Sequence, residues 1–447
     1  MDSTELAGHL IESAMKAGAS AAEVLVQEGT EFSVSVRMRE VEKLRQASSH
    51  RLGMRIFSGA RSAVSATSDF SFPTLERAVR ETLTMAEAAG EDRAAGLPDP
   101  EMYAAELPAL NLAFPAAARL SVDEKIGLAH RCEEAALDFD PRINNSEGAT
   151  FSDSQTHITY GNSLNHVSDY SRSVCSLSVT PLAERDGMKQ RDYWLSTSLD
   201  AAQLESPEEV GRQAARRALR RLGARKVRTC EVPVVFEPLA AASLLRHVSD
   251  AVSGSALLRK ASFLVDKLGS RAASPLVTIY DDALMPGGLG SRPFDAEGVP
   301  SQRTTVIREG ILESYLLDAY SGRKLGLRST GNSDRELNGG PSVGPSNFYV
   351  KPGESTPGEI VSSIRNGLYV TELIGFGVNV VSGDYSQGAA GLWIENGTPT
   401  FPVEEITIAG NLKDMLTTIE GVGNDLLVLG EIFSPTLLIG RMVVSGN

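Results

Sequence analysis

The sequence predicts an α+β protein: an N-terminal α/β domain with a mixed or antiparallel sheet and helices, then a C-terminal β-rich domain, barrel- or sandwich-like. Three observations carry this. The first 228 residues alternate between helical and two-residue hydrophobic periods. Beyond residue 275 the chain breaks into short strands separated by Gly, Pro and Asn turns. The 447 residues hold 41 glycines but only 6% aromatics, which suits many tight turns. The length allows two or three domains with sizeable cores. The expected division is 1–228 and 229–447, with a connection at about 89–120 inside the first domain.

Residues 3–18 form an amphipathic helix, with Leu6, Leu10, Ile11 and Ala14 on one face. The stretch AEVLVQEGTEFSVSVRMREVEKLRQ alternates and reads as a hairpin or meander. HRLGMRIFSGARSAVSATSD adds two strands turning at Ser58-Gly59, and a helix follows with Pro73 near its start. After the connection, Ser121 and Glu124 stand at capping-box spacing before a second helix. Strands return from 142 to about 200, and another helix opens at a second capping box, Ser206 and Glu209. The order helix, strands, helix therefore occurs twice, which predicts a duplicated or pseudo-symmetric layer.

From Cys230 the texture changes. EVPVVFEP is a strand running into the helix PLAAASLLRHVSDAVSG, which Glu237 can cap and Gly254 can stop. REGILESYLLD, GFGVNVVSGD, GLWIENGTPTFPVEEITIAG and SPTLLIGRMVVSG read as strands, and ENG at 395–397 is a hairpin signal.

With 43 basic and 57 acidic residues the net charge is −14, which argues against direct nucleic-acid binding. No apolar run reaches the roughly 18 residues of a membrane span. The first twenty residues lack a basic and an apolar leader region. Three cysteines, Cys132, Cys175 and Cys230, fit neither a disulfide framework nor a zinc knuckle. A cytoplasmic protein is the expectation.

Chemistry-bearing motifs are sparse. His247 and Asp250 lie one turn apart on the helix after 237 and could contribute to a metal site. A zinc hydrolase needs three protein ligands and a base, and no histidine here is followed by Glu. A hydrogen-bonded structural histidine is the simpler reading. No G-x-S-x-G elbow occurs. The glycines of GGLGSRPFDAEG do not open a long helix, so they form no phosphate loop. Cys132 and Cys175 read as buried structural thiols. The basic run from Arg212 to Arg228 reads either as an anion-binding face or as a solvated face paired with acidic neighbours, and the second is favoured.

The segments SGSALLRKASFLVDKLG, FDAEGVPSQRTTVIREGILESYLLD, GLRSTGNSDR and GDYSQGAAGLWIENGTPTFPVEEITIAGNLKDML resemble the TldD/PmbA family. The resemblance is specific over 230–447 and looser before it. It implies a metalloprotease-related chain that works in paired subunits enclosing a peptide cavity. It also implies a TldD branch carrying H-E-x-x-x-H and a Cys ligand for zinc, and a PmbA/TldE branch without them. Here Val248 follows His247, Val252 stands where the second His belongs, and no Cys follows Cys230.

The expectation is thus a PmbA/TldE-type subunit with no catalytic or metal residues and no cofactor of its own. Zinc is expected in a TldD-like partner, and the substrate is a peptide or small unfolded protein. In isolation the chain is expected to form a homodimer. Candidate peptide-cavity positions are Arg259, Lys260, Asp384, Tyr385 and Ser386, beside His247 and Asp250 on the equivalent of the zinc helix. The alternatives are an active peptidase with its own site around His247 and Asp250, or a regulatory protein acting on DNA gyrase or another partner.

Overall fold

In a computed structural model, which describes residues 2–446 except 104, 105, 336, 338 and 341, the N-terminal half is built from two units that each run helix, strands, helix, with three strands in the first and four in the second. The first comprises α1 (Ser3–Lys16), β1 (Ala21–Arg37), β2 (Glu40–Ser58), β3 (Arg61–Thr67) and α2 (Phe72–Ala88). A short helix α3 (Ala116–Arg119) precedes the second: α4 (Val122–Leu137), β4 (Ile143–Asn162), β5 (Val167–Arg185), β6 (Met188–Arg191), β7 (Trp194–Ser198) and α5 (Pro207–Leu219). All seven strands join one sheet in the order β3-β2-β1-β4-β5-β6, with β7 also on β5. The units meet where β1 pairs antiparallel with β4, from Glu23↔Asn162 to Val36↔Ala149.

Alternation explains the layering. Ala22, Val24 and Val26 point to one face and pack under α1 and α2. Further along the same face, Phe32, Val34 and Val36 join a core with Ala129 and Cys132 of α4 and with Val210 and Ala214 of α5. The predicted cap at Ser121 is a full capping box with Glu124. At α5 only half forms: Ser206 accepts from the Glu209 amide, while the Glu209 carboxylate turns to Arg212 and Arg216 instead. The two strands expected on either side of Ser58-Gly59 are the end of β2 and β3, because β2 runs unbroken through His50.

The C-terminal half begins with β8 (Cys230–Phe236), α6 (Pro238–Val252) and α7 (Gly254–Leu258). Then follow β9 (Ile279–Asp282), β10 (Arg303–Arg308), β11 (Ile311–Leu312), α8 (Ala319–Leu325), β12 (Ser333–Asp334), β13 (Ser342–Val343), β14 (Phe348–Val350) and α9 (Pro357–Ser362). The chain ends with β15 (Asn366–Ile374), β16 (Asp384–Glu395), β17 (Thr398–Asn411), α10 (Leu412–Thr417), β18 (Ile419–Val422), β19 (Ile432–Phe433) and β20 (Leu437–Ser445). Strands β17, β16, β15, β8 and β20 pair in turn, and β17 pairs back onto β20, so five strands close a barrel. A second sheet has the order β11-β10-β9-β14-β19. Helix α6 touches strands of both, and its buried face joins their shared core. The α+β class and the barrel-like C-terminal half are as the sequence predicts.

Two expected strands are different in kind. REGILESYLLD contains only the two-residue β11 before running into α8. GFGVNVVSGD is an irregular loop: Gly375 and Gly383 take φ of 97° and 90°, and the Asn379 side chain accepts from the Val381 amide. The hairpin at 395–397 forms as predicted, with Asn396 and Gly397 at φ 51° and 78° between β16 and β17.

Candidate functional site

Helix α6 leaves the barrel strand β8 at Glu237. Its side chain does not cap the helix, contrary to the sequence reading. It is drawn away by two guanidiniums of the N-terminal half, Arg217 at 2.6 Å and Arg220 at 3.0 Å, and Arg217 also meets Asp192 at 3.2 Å. The basic run is therefore not simply a solvated face. Arg217 is buried, Arg221 pairs with Glu372, Arg225 stacks on Phe401, and Lys226 pairs with Glu405. These contacts fix the N-terminal half against the start of α6 and the barrel.

Leu244, Leu245, Val248, Ala251 and Val252 of α6 are all buried in the core. His247 is half-buried, and its ring lies edge-on to Tyr385 at 6.3 Å. Tyr385 is 1% exposed, and among the described residues its hydroxyl has no hydrogen-bond partner. Burial lowers the proton affinity of His247, and the nearby Asp250 charge partly opposes this. Crowding by protein raises Asp250, while His247 and Arg246 pull it back down. Asp250 opens onto a cleft of about 410 Å³, lined also by Ser253, Ser255, Arg259, Ser342 and Pro345. Helix α6 ends at Ser253, whose backbone is extended, and Gly254 opens α7 where a Cβ would lie 2.4 Å from Ser321 Oγ of α8.

The structure brings His247 to Tyr385, and Asp250 and Arg259 line one cleft. Lys260 stands exposed beside Arg259 with φ 53°. Asp384 and Ser386 flank Tyr385 on β16 and so face the opposite way. Asp384 accepts from Ser382 Oγ at 2.6 Å and Asn411 Nδ2 at 3.2 Å, which ties the preceding loop to β17. The nearby glycines admit the chain's own backbone: a Cβ on Gly377 would lie 1.9 Å from the Ser386 carbonyl, and one on Gly391 2.0 Å from that of Tyr369. Among the described residues, no three His, Cys, Asp or Glu side chains converge as a metal-binding group. The zinc of the resembled family does not fit this helix, since both positions that would supply the remaining motif groups are buried valines.

A second charged cluster escaped the sequence reading. Glu23 of β1 pairs with Arg55 of β2 at 2.9 Å and with Arg335 at 2.6 Å, and Arg55 reaches Glu297 at 3.1 Å. Tyr160 donates to Glu23, and the Ala319 amide to Glu297. All four side chains, Glu23, Arg55, Glu297 and Arg335, are buried where the halves meet. Glu23 in AEVLV and Arg55 in GMRIF were the available signal: charges set inside apolar strands.

Three family models match in chain order: PmbA/TldA metallopeptidase domain 1 over residues 22–86, the central domain over 115–222, and the C-terminal domain over 229–446. This chain belongs to the PmbA/TldD family. The metalloprotease PmbA of Escherichia coli O157:H7 is 39% identical over 95% of this chain and 92% of its own length. The PmbA homolog of Haemophilus influenzae is 38% identical over 98% and 94%. Among solved structures, a Bacteroides thetaiotaomicron protein described as a candidate modulator of DNA gyrase superposes with TM-score 0.92 at 28% identity, covering 99% of this chain and 98% of that one. TldE from Thermococcus kodakarensis shares the fold, with TM-score 0.88 at 21% identity over 99% and 100% of the two chains. Among the described residues, no helix is long and apolar enough to cross a membrane.

Proposed function

We propose that this chain is a PmbA/TldE-type subunit that holds no catalytic metal and shapes the peptide cavity of a heterodimer with a zinc-bearing, TldD-like metalloprotease subunit. The observation that carries the reading is the composition of α6. Only His247 and Asp250 stand as donors at its middle, while Val248 and Val252 are 0% exposed and part of the core. A catalytic zinc needs three ligands and an adjacent base, and the helix supplies neither the base nor the second histidine. The substrate would be a peptide or small unfolded protein lying in the cleft beside Asp250 and Arg259. The cytoplasm is the proposed compartment.

The test is metal analysis and peptidase assay of the purified chain, alone and mixed with a TldD-like subunit. Alone, it carries no stoichiometric zinc and cleaves no unfolded peptide. Mixed, cleavage appears and follows the partner's zinc. One zinc per isolated chain, lost in His247→Ala, would overturn the proposal.

A further inference from the structure

The first half of the N-terminal sheet ends in an unused edge. Strand β2 pairs with β1 along its length, but β3 covers only Leu52–Ser58 of its other side. Residues 40–51 therefore present twelve residues of open edge, about 40 Å at the usual strand rise. Among the described residues, no other backbone segment hydrogen-bonds to this stretch.

The second helix-strands-helix unit supplies an internal comparison. The later half of the matching stretch of β5 is covered by the protein itself: the Ser173 amide donates to the Leu112 carbonyl at 3.0 Å, and β7 pairs with Cys175–Val179. The second unit thus closes this edge from Ser173 onward, while in the first no residue from 40 to 51 is closed. An open edge of this length is a template for an added strand.

Charge says what kind of strand fits. Residues 40–46 are exposed on both faces, including Val41 at 45% and Leu44 at 47%. Lys43, Arg45 and Arg51 share one face by alternation, and none is in an ion pair among the described residues. In a chain of net charge −14 that pairs most of its other strand arginines, this row is unusual. A second copy is a poor occupant. Antiparallel self-pairing about an axis normal to the sheet keeps every residue on its own face, so the cationic row would lie alongside itself.

We infer that the open edge of β2 over residues 40–51 binds an extended acidic segment of another polypeptide by strand addition, with carboxylates at alternate positions facing Lys43 and Arg45. Backbone hydrogen bonds to the edge hold the segment, and the i, i+2 spacing of its acids sets face and register. This surface is separate from the cleft beside α6 and does not depend on the subunit's catalytic status.

The test is fluorescence anisotropy on the full chain with three labelled decapeptides: alternating Glu and Thr, alternating Lys and Thr, and a block peptide of five Glu followed by five Thr. The alternating acidic peptide binds saturably, at least fivefold more tightly than the block peptide of equal charge. Binding weakens at least tenfold in the K43E/R45E variant and when alternate peptide amides are N-methylated. The same variant gains binding of the Lys peptide. Both substituted side chains are exposed, and circular dichroism confirms that the variant is folded. Equal binding of acidic and basic peptides, an unchanged K43E/R45E variant, or no binding by the wild type would overturn the inference.

Discussion

Arg217 of α5 donates to Glu237, the residue that opens α6, at 2.6 Å, with both side chains about 5% exposed. The contact joins the last helix of the N-terminal half to the helix on which the candidate site is built. Removing Arg217 leaves two buried carboxylates, Glu237 and Asp192, with Arg220 alone to answer both among the described residues, and breaking a buried pair costs about 3–5 kcal/mol. Arg217→Ala is therefore expected to lose about 3 kcal/mol, the low end, because Arg220 remains at 3.0 Å. Urea unfolding measures this, and a double variant with Glu237→Gln should recover part of the loss.

The cluster around Glu297 makes stability depend on pH. Burial is the main cause that raises Glu297, to about 8, with Asp295, Glu23 and Asp318 adding to it and Arg55 opposing it. Asp295 is raised to about 6, again chiefly by burial. A raised carboxyl keeps its proton in the folded state after the unfolded chain has released it. Stability is then present below the unfolded value of 4.5 and falls as pH rises toward 8. Glu297→Gln removes one carboxyl of this pair and so makes the fall smaller. Urea midpoints at pH 5 and pH 8 should lie closer together in the variant than in the wild type. An unchanged difference would show that Glu297 is ionised throughout.

Installing the missing motif does not restore a metal site. Val248 is 0% exposed in the core between the barrel and the second sheet. Val248→Glu buries a carboxylate without a partner, at a cost of several kcal/mol, roughly 3 or more. The double variant V248E/V252H is expected to lose stability and to take up no stoichiometric zinc, as read by thermal melting and metal analysis.

Much of the architecture was legible because it is local. The helix at 3–16 follows from its apolar spacing, the start of α4 from Ser121 and Glu124, and the β16–β17 hairpin from Asn396-Gly397. The loop 375–383 read as a strand because its valines alternate, yet its two positive-φ glycines bend the chain out of a ladder. Glu237 read as a cap because only its own helix is visible in sequence. Its partners come from 17 and 20 residues earlier, on another domain's helix.

The sequence by itself determined what α6 lacks, since a missing Glu, a missing second His and the absence of any later Cys are facts of composition. It also determined the repeat of helix, strands and helix, because hydrophobic period is written residue by residue. The tertiary structure decided which charges are buried and which edges stay open. Glu23 meets Arg335 across 312 positions, and β2 is left uncovered over 40–51 while β7 covers Cys175–Val179 of β5. Those outcomes depend on which distant segment arrives at a strand's side, and a one-dimensional pattern holds no term for that.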